Sequence, residues 1–375
     1  MKKLLKRFGL FLVPIVLALV PANIFLFRVG ESYLNVNKLV FSEENYLAGF
    51  LYNESDISYI KWARVTEKPN NSVLSLGSSR VLGFREEMFD SSFYNAGYTV
   101  SKIAQFKPFL ESLPACKLPK YLLLGLDQWM FNENWDNESG EHQESVRIPI
   151  HHFWPDISTF PELYLDFLSG KYSWRMMGTT GGGNRVGLNA IVNETGFRKD
   201  GSIYYGSVIN KLLNNDISFE RDLFDETYAR IEHGNSRFQY AKDVNKGALS
   251  QLQSLVDYCK ENNIHVIGFL PPFADKVYDR MLEIGNYDYL GGLPSQLKSV
   301  FVDSGFEFYN FPNVSSCNSS DAEVIDGFHG GELTYGKILI KMLELGSELN
   351  NITNLERLKK DVDNPVNRYL LYQYN

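Results

Sequence analysis

The chain opens with a short basic segment, Met1-Lys2-Lys3-Leu4-Leu5-Lys6-Arg7, followed by an uncharged, mostly apolar run from Phe8 to Phe27 that Arg28 closes. A run of about 20 such residues is long enough to cross a bilayer as a helix. Pro14 and Pro21 would kink a membrane helix without forbidding it. Cleaved signals have a shorter apolar core and a small-x-small cleavage site, and Ala18 and Ala22 do not frame one. The pattern therefore predicts an uncleaved anchor. The positive charges before it predict a cytoplasmic N-terminus and a domain outside the cytoplasm.

Beyond Arg28 the pattern changes. Residues 29–70 are mixed and polar and read as a stalk. Short runs that are apolar throughout follow at Ser72–Gly77, Lys120–Gly125 and Ile264–Leu270, the last stopped by Pro271-Pro272, with a weaker run at Phe306–Tyr309. Helical spacing lies between them. Leu249, Leu252, Leu255, Val256 and Cys259 form one stripe, broken at Asn262-Asn263. Leu333, Ile338, Ile340, Met342 and Leu343 form another, stopped at Gly346. Apolar strands alternating with helices predict an α/β fold whose parallel sheet is covered on both faces, a three-layer α/β/α sandwich. Residues 130–245 are rich in Asn, Gly and aromatics, including Gly181-Gly182-Gly183, and read as a large insertion over the carboxyl edge of the sheet. The expected layout is an anchor at 1–28, a stalk at 29–70, a domain at 71–350 and a C-terminal tail at 351–375.

Composition narrows the function classes. The chain has 375 residues, 44% hydrophobic and 22% charged, with net charge −8. Removing Lys2, Lys3, Lys6, Arg7 and Arg28 takes the part beyond the anchor to −13, a poor match to nucleic acid. Cys116, Cys259 and Cys317 are too few for a disulfide framework and wrongly spaced for zinc. Among His142, His151, His152, His233, His265 and His329 no His-x-x-x-His spacing occurs, so neither metal nor cofactor is expected. His265 falls inside a predicted strand and reads as a packed histidine.

Ligands of parallel sheets bind beyond the carboxyl ends of the strands. After the first run stands Gly77-Ser78-Ser79-Arg80, a serine on a tight strand-to-helix turn whose N–H groups can face a developing oxyanion. Tyr94-Asn95-Ala96-Gly97 and Gly125-Leu126-Asp127 follow later segments. Asp326-Gly327-Phe328-His329 precedes the last helix, and a carboxylate three residues before a histidine can orient its imidazole. Each motif has a bland alternative: an ordinary loop, a turn glycine, a helix-capping Asp, an exposed His. Their order carries more than any one of them.

That order resembles the SGNH (GDSL-like) hydrolase superfamily, and within it the membrane-anchored envelope relatives that act on bacterial glycans. The resemblance covers roughly residues 72–128 and 264–345. Gly77-Ser78-Ser79 is similar to its first block, with Ser78 in place of Asp. It makes Ser79 the nucleophile, Gly97 of Asn95-Ala96-Gly97 an oxyanion donor, Asp326 the orienting acid and His329 the base. Asn95 and Arg80 are expected beside the substrate. Asp127 departs from the family, standing where an Asn would donate to the oxyanion, and a carboxylate accepts only.

The resemblance implies an acyl-ester hydrolase or O-acyltransferase at the outer face of the cytoplasmic membrane, acting on an acylated glycan beside other envelope-assembly proteins. The alternative is a catalytically degenerate glycan-binding or scaffold component. In that reading Trp129, Trp135, Trp154 and Trp174 stack on sugars instead of filling the core. The acidic balance disfavours a strongly anionic substrate unless Arg80 or Arg198 offsets it. Asp200 and Asp275 have no assigned role.

Overall fold

The computed structural model describes residues 2–100, 102–135, 151–181, 184–214 and 224–373. His142 and the Gly182-Gly183 pair lie outside the described residues. The chain divides into two compact units. One comprises Met1–Ile60, Pro149–Lys199 and Tyr204–Ser207; the other comprises Lys61–Ile148, Asp200–Ile203 and Val208–Asn375.

In chain order the strands are β1 (Leu47–Ala48), β2 (Val73–Leu76), β3 (Phe93–Asn95), β4 (Tyr121–Gly125), β5 (Arg185–Val186), β6 (Thr195–Arg198), β7 (Ile203–Tyr205), β8 (His265–Leu270) and β9 (Glu307–Asn310). The larger unit holds a five-stranded sheet in the order β3-β2-β4-β8-β9. All four neighbouring pairs are parallel. Residues on β2, β4 and β8 are apolar almost in succession, Ser75 and His265 aside, because both faces are buried. Leu74, Leu76, Leu122, Leu124 and Val266 enter one buried cluster with Phe106, Leu252, Leu255 and Leu297. Their strand neighbours Val73, Leu123, Ile267 and Phe269 enter a second cluster with Ile338, Leu339, Met342 and Leu358.

The two helices read from spacing are present as Lys246–Glu261 and Glu332–Glu344. The first starts where Asn245 accepts the N–H of Ala248 at 3.1 Å, the usual work of an N-cap residue. Residues 351–375, expected as a tail, include the helix Leu355–Asp363, which buries Leu358 in the second cluster.

The smaller unit has a four-stranded sheet in the order β5-β1-β6-β7. It contains the first helix, Lys2–Arg28, whose stretch Phe11–Arg28 has mean hydropathy 2.1 and is long and apolar enough to cross a membrane. Residues 29–60, read from the sequence as a stalk, belong to this unit together with 151–181 and 184–199 of the expected insertion. The reason is a buried knot. Glu31 is 1% exposed and accepts the N–H groups of Leu51 and Tyr52 at 2.6 Å and of Leu188 at 2.7 Å. Burial still pushes its carboxyl above the ordinary range, against those hydrogen bonds. Ala22, Phe25, Leu26 and Val29 pack with Phe160, Leu163, Tyr172 and Leu188 in the same unit.

Candidate active site

The site lies in the larger unit, at the carboxyl end of β2. Strand order reverses there, since β3 lies on one side of β2 and β4 on the other, and such switch points are where open α/β sheets bind ligands. Gly77 ends the strand with φ +154°, and a Cβ there would meet the carbonyl of Gly125 at 2.8 Å. Only glycine fits. Ser78 caps the short 3-10 helix Ser79–Val81 that follows, its hydroxyl accepting the N–H of Arg80 at 3.1 Å. Ser79 is thereby lifted off the sheet edge.

Ser79 Oγ stands 2.7 Å from His329 Nε2. On the other side of the ring, His329 Nδ1 stands 2.6 Å from Asp326 Oδ2. The second carboxylate oxygen accepts the N–H of His329 at 2.9 Å and of Phe328 at 3.3 Å. Burial pushes the Asp326 carboxyl up, but the adjacent imidazole and these N–H groups outweigh it, and its pKa is held below the ordinary value. A carboxylate that stays ionised and grips Nδ1–H leaves Nε2 as the acceptor facing the serine.

The remaining expected residues turn toward the protein. Asn95 is 0% exposed. Its Nδ2 donates to the carbonyls of Val81 at 2.8 Å and Phe84 at 3.1 Å, and its Oδ1 accepts the N–H of Gly97 at 3.0 Å. Asn95 thus staples the turn after Ser79 to β3, and the Gly97 N–H expected at the oxyanion is engaged by it. The Gly97 carbonyl accepts from the buried Lys61 Nζ at 2.6 Å. The N–H of Ser79 has no acceptor among the described residues and stands beside its own Oγ.

Arg80 is also 0% exposed. It donates to the carbonyls of Phe328 (2.9 Å), Pro271 (2.8 Å) and Pro272 (2.7 Å), and to Gln128 Oε1 (2.7 Å). Asp127 Oδ1 is its counter-ion at 3.4 Å. Its guanidinium carbon lies 4.5 Å from the Phe273 ring and 5.1 Å from the Trp129 ring. Asp127 is 1% exposed, and its Oδ2 has no hydrogen-bond partner among the described residues. Burial pushes its carboxyl up, and Arg80 only partly offsets that.

Sequence reading did not single out Arg237. It lies half-buried in the short 3-10 helix Ser236–Phe238, in no motif, its guanidinium carbon 5.4 Å from the Trp129 ring and 5.8 Å from the Phe328 ring. It makes no hydrogen bond or salt bridge among the described residues, and its charge acts on Asp127, lowering that carboxyl's pKa. Arg198, the other candidate, is buried in the smaller unit with its guanidinium carbon 5.0 Å from the Tyr204 ring.

Of the tryptophans, Trp129 is core and Trp135 packs against it, while Trp154 and Trp174 are exposed in the smaller unit. His265 pairs with Glu307 at 2.8 Å. His151 and His152 both face Asp56. Asp200 binds Arg85, and Asp275 accepts the N–H of Ser315. No family model, no curated protein and no solved structure matches this chain.

Proposed function

We propose that the protein is a membrane-anchored serine acyl-ester hydrolase or O-acyltransferase of SGNH type, built as a three-layer α/β/α sandwich and working on an acylated glycan outside the cytoplasmic membrane. The observation that carries the reading is the unbroken chain of hydrogen bonds Ser79–His329–Asp326 at the switch point of a parallel sheet. Two buried clusters fed by alternate strand residues support the layered architecture. The glycan, and the company of other envelope proteins, rest on the resemblance of the sequence blocks.

His329 Nε2 takes the proton of Ser79 Oγ as the oxygen attacks the acyl carbonyl. The N–H of Ser79 donates to the tetrahedral oxyanion. The intermediate collapses, the ester C–O bond breaks, and the leaving sugar hydroxyl regains its proton from His329. Water or a second sugar hydroxyl then attacks the acyl-serine, again deprotonated by His329.

A scaffold reading draws on a different observation: Gly97 N–H is occupied by Asn95, and Asp127 is a carboxylate. One experiment separates the two. The full-length protein in detergent is treated with a fluorophosphonate probe and assayed with p-nitrophenyl acetate. Labelling that vanishes in Ser79→Ala and falls at least a hundredfold in His329→Ala supports the enzyme. No labelling of the wild-type chain means a scaffold.

A further inference from the structure

We infer that the helix Phe160–Leu168 is a second membrane contact, lying in the lipid surface with Pro161, Leu165 and Leu168 in the acyl region beside the Arg28 end of the first helix. The inference is independent of the esterase reading and rests on the first helix being a span.

Contact with the span sets the depth. The Tyr164 hydroxyl donates to the carbonyl of Ala18. The Phe25 ring meets Phe167 edge-on at 4.7 Å and Trp174 at 5.8 Å. Ala18 is ten residues before Arg28, or about 15 Å along a helix axis. The hydrocarbon core of a bilayer is about 30 Å thick. A segment seated on Ala18–Phe25 therefore lies at the level of one leaflet, beside the lipids that surround the exposed Leu17, Val20 and Ile24.

The sequence of the helix matches three surroundings at once. At about 100° per residue, its nine residues fall into three stripes. Phe160, Leu163, Tyr164 and Phe167 face the first helix and its cluster. Glu162 and Asp166 form a polar stripe, with Asp166 paired to Lys171 at 2.7 Å. Pro161, Leu165 and Leu168 form the third, entirely apolar stripe, with Leu165 64% and Leu168 84% exposed. A water-soluble helix has two faces, core and solvent. A third, apolar and uncovered, calls for lipid. The flanks agree: Ile157 is 63% and Trp154 71% exposed, and Trp154, Phe153 and Tyr33 form a mutual edge-to-face cluster at 5.3–5.5 Å. Amphipathic aromatics of this kind collect at the membrane–water boundary.

The test uses the full-length protein in phosphatidylcholine vesicles with acyl chains brominated near the headgroup. Bromine quenches nearby indole emission. We expect the wild-type chain to resist carbonate extraction and its emission to be quenched. The double variant Trp154→Phe/Trp174→Phe should lose at least half of that quenching, since the other three tryptophans lie in the larger unit. Leu165→Glu/Leu168→Glu should stay in the membrane yet show at least twofold weaker quenching. Carbonate release of the wild-type chain overturns the span and this inference together. Retention with unquenched Trp154 and Trp174, as when a second copy covers the helix, leaves the span intact and overturns the inference alone.

Discussion

Arg80 donates from Nε to the carbonyl of Phe328 at 2.9 Å, so the residue after Ser79 holds the residue before His329. The same guanidinium grips both prolines after β8. Three loops from distant parts of the sequence are thus tied by one planar fork, a geometry that lysine cannot reproduce.

Arg80→Lys keeps the charge beside Asp127 and loses most of the fork. Each buried hydrogen bond from the charged group that is lost in this way costs about 1.5–3 kcal/mol. Chemical denaturation should show that loss. Fluorophosphonate labelling of Ser79 should fall well below the unfolding transition, because the gap to His329 is no longer held. Unchanged labelling in a destabilised but folded variant would reduce Arg80 to a purely structural role.

Asp326→Asn removes the carboxylate that selects the His329 tautomer. By analogy with serine-hydrolase triads, kcat should fall by about 10³–10⁴-fold with the fold retained. The pH dependence of stability follows from the same group. The folded pKa of Asp326 is depressed, so its contribution is present above the unfolded value and is lost as pH falls through the folded one. Wild-type and Asp326→Asn midpoints measured from pH 7 down should converge on the acid side.

Asp127 predicts the opposite slope. Its folded pKa lies above the ordinary aspartate value of 3.8, so the folded chain holds a proton that the unfolded chain gives up. That contribution is fully present below 3.8 and is lost as pH rises through the folded pKa. The denaturation midpoint of Asp127→Asn, relative to wild type, should rise steadily from pH 4 upward. A parallel pair of curves would mean that Arg80 keeps Asp127 at its ordinary pKa.

Gly77→Ala places a Cβ 2.8 Å from the Gly125 carbonyl at a backbone angle that L-residues avoid. Strain of this kind costs about 1–3 kcal/mol. Because the turn aims Ser79, esterase activity should fall further than thermal stability alone accounts for, as read from kcat at a temperature where the variant is fully folded.

A chain beginning at Val29, the obvious soluble form, lacks Ala22, Phe25 and Leu26, which are 0–1% exposed in the smaller unit. Each large side chain lost from such a cluster forfeits about 1.5–3 kcal/mol. Limited proteolysis should therefore cut the shortened chain within 149–199 at protease levels that leave the full-length protein intact.

The strands β2, β4 and β8 were readable because burial on both faces writes a nearly continuous apolar run, with Ser75 the one polar residue inside it. β3 carried no clear run, being three residues long, preceded by Ser91-Ser92 and itself ending in Asn95. The smaller unit was opaque for a related reason: β1 and β5 are two residues each, too short for any period to register. Its integrity comes from Glu31, a charged residue that reads as solvent-exposed until its three N–H partners, up to 157 positions away, are seen together. At the site, Ser79, Asp326 and His329 stood out because their chemistry is local to short motifs. Arg80, Asn95 and Asp127 were expected beside the substrate from their positions after the strands, but they are buried, and which way they face is decided largely by main-chain carbonyls that carry no sequence signal. Arg237 had none at all.

The Glu31 knot also bears on orientation. A domain on a loose tether tumbles above its membrane and presents every side to it. Here the polypeptide leaving the first helix is locked at Glu31 to Leu51, Tyr52 and Leu188. In a bilayer the smaller unit would then have a fixed top and bottom, and the angle at which it stands would be set by protein packing instead of by the lipid.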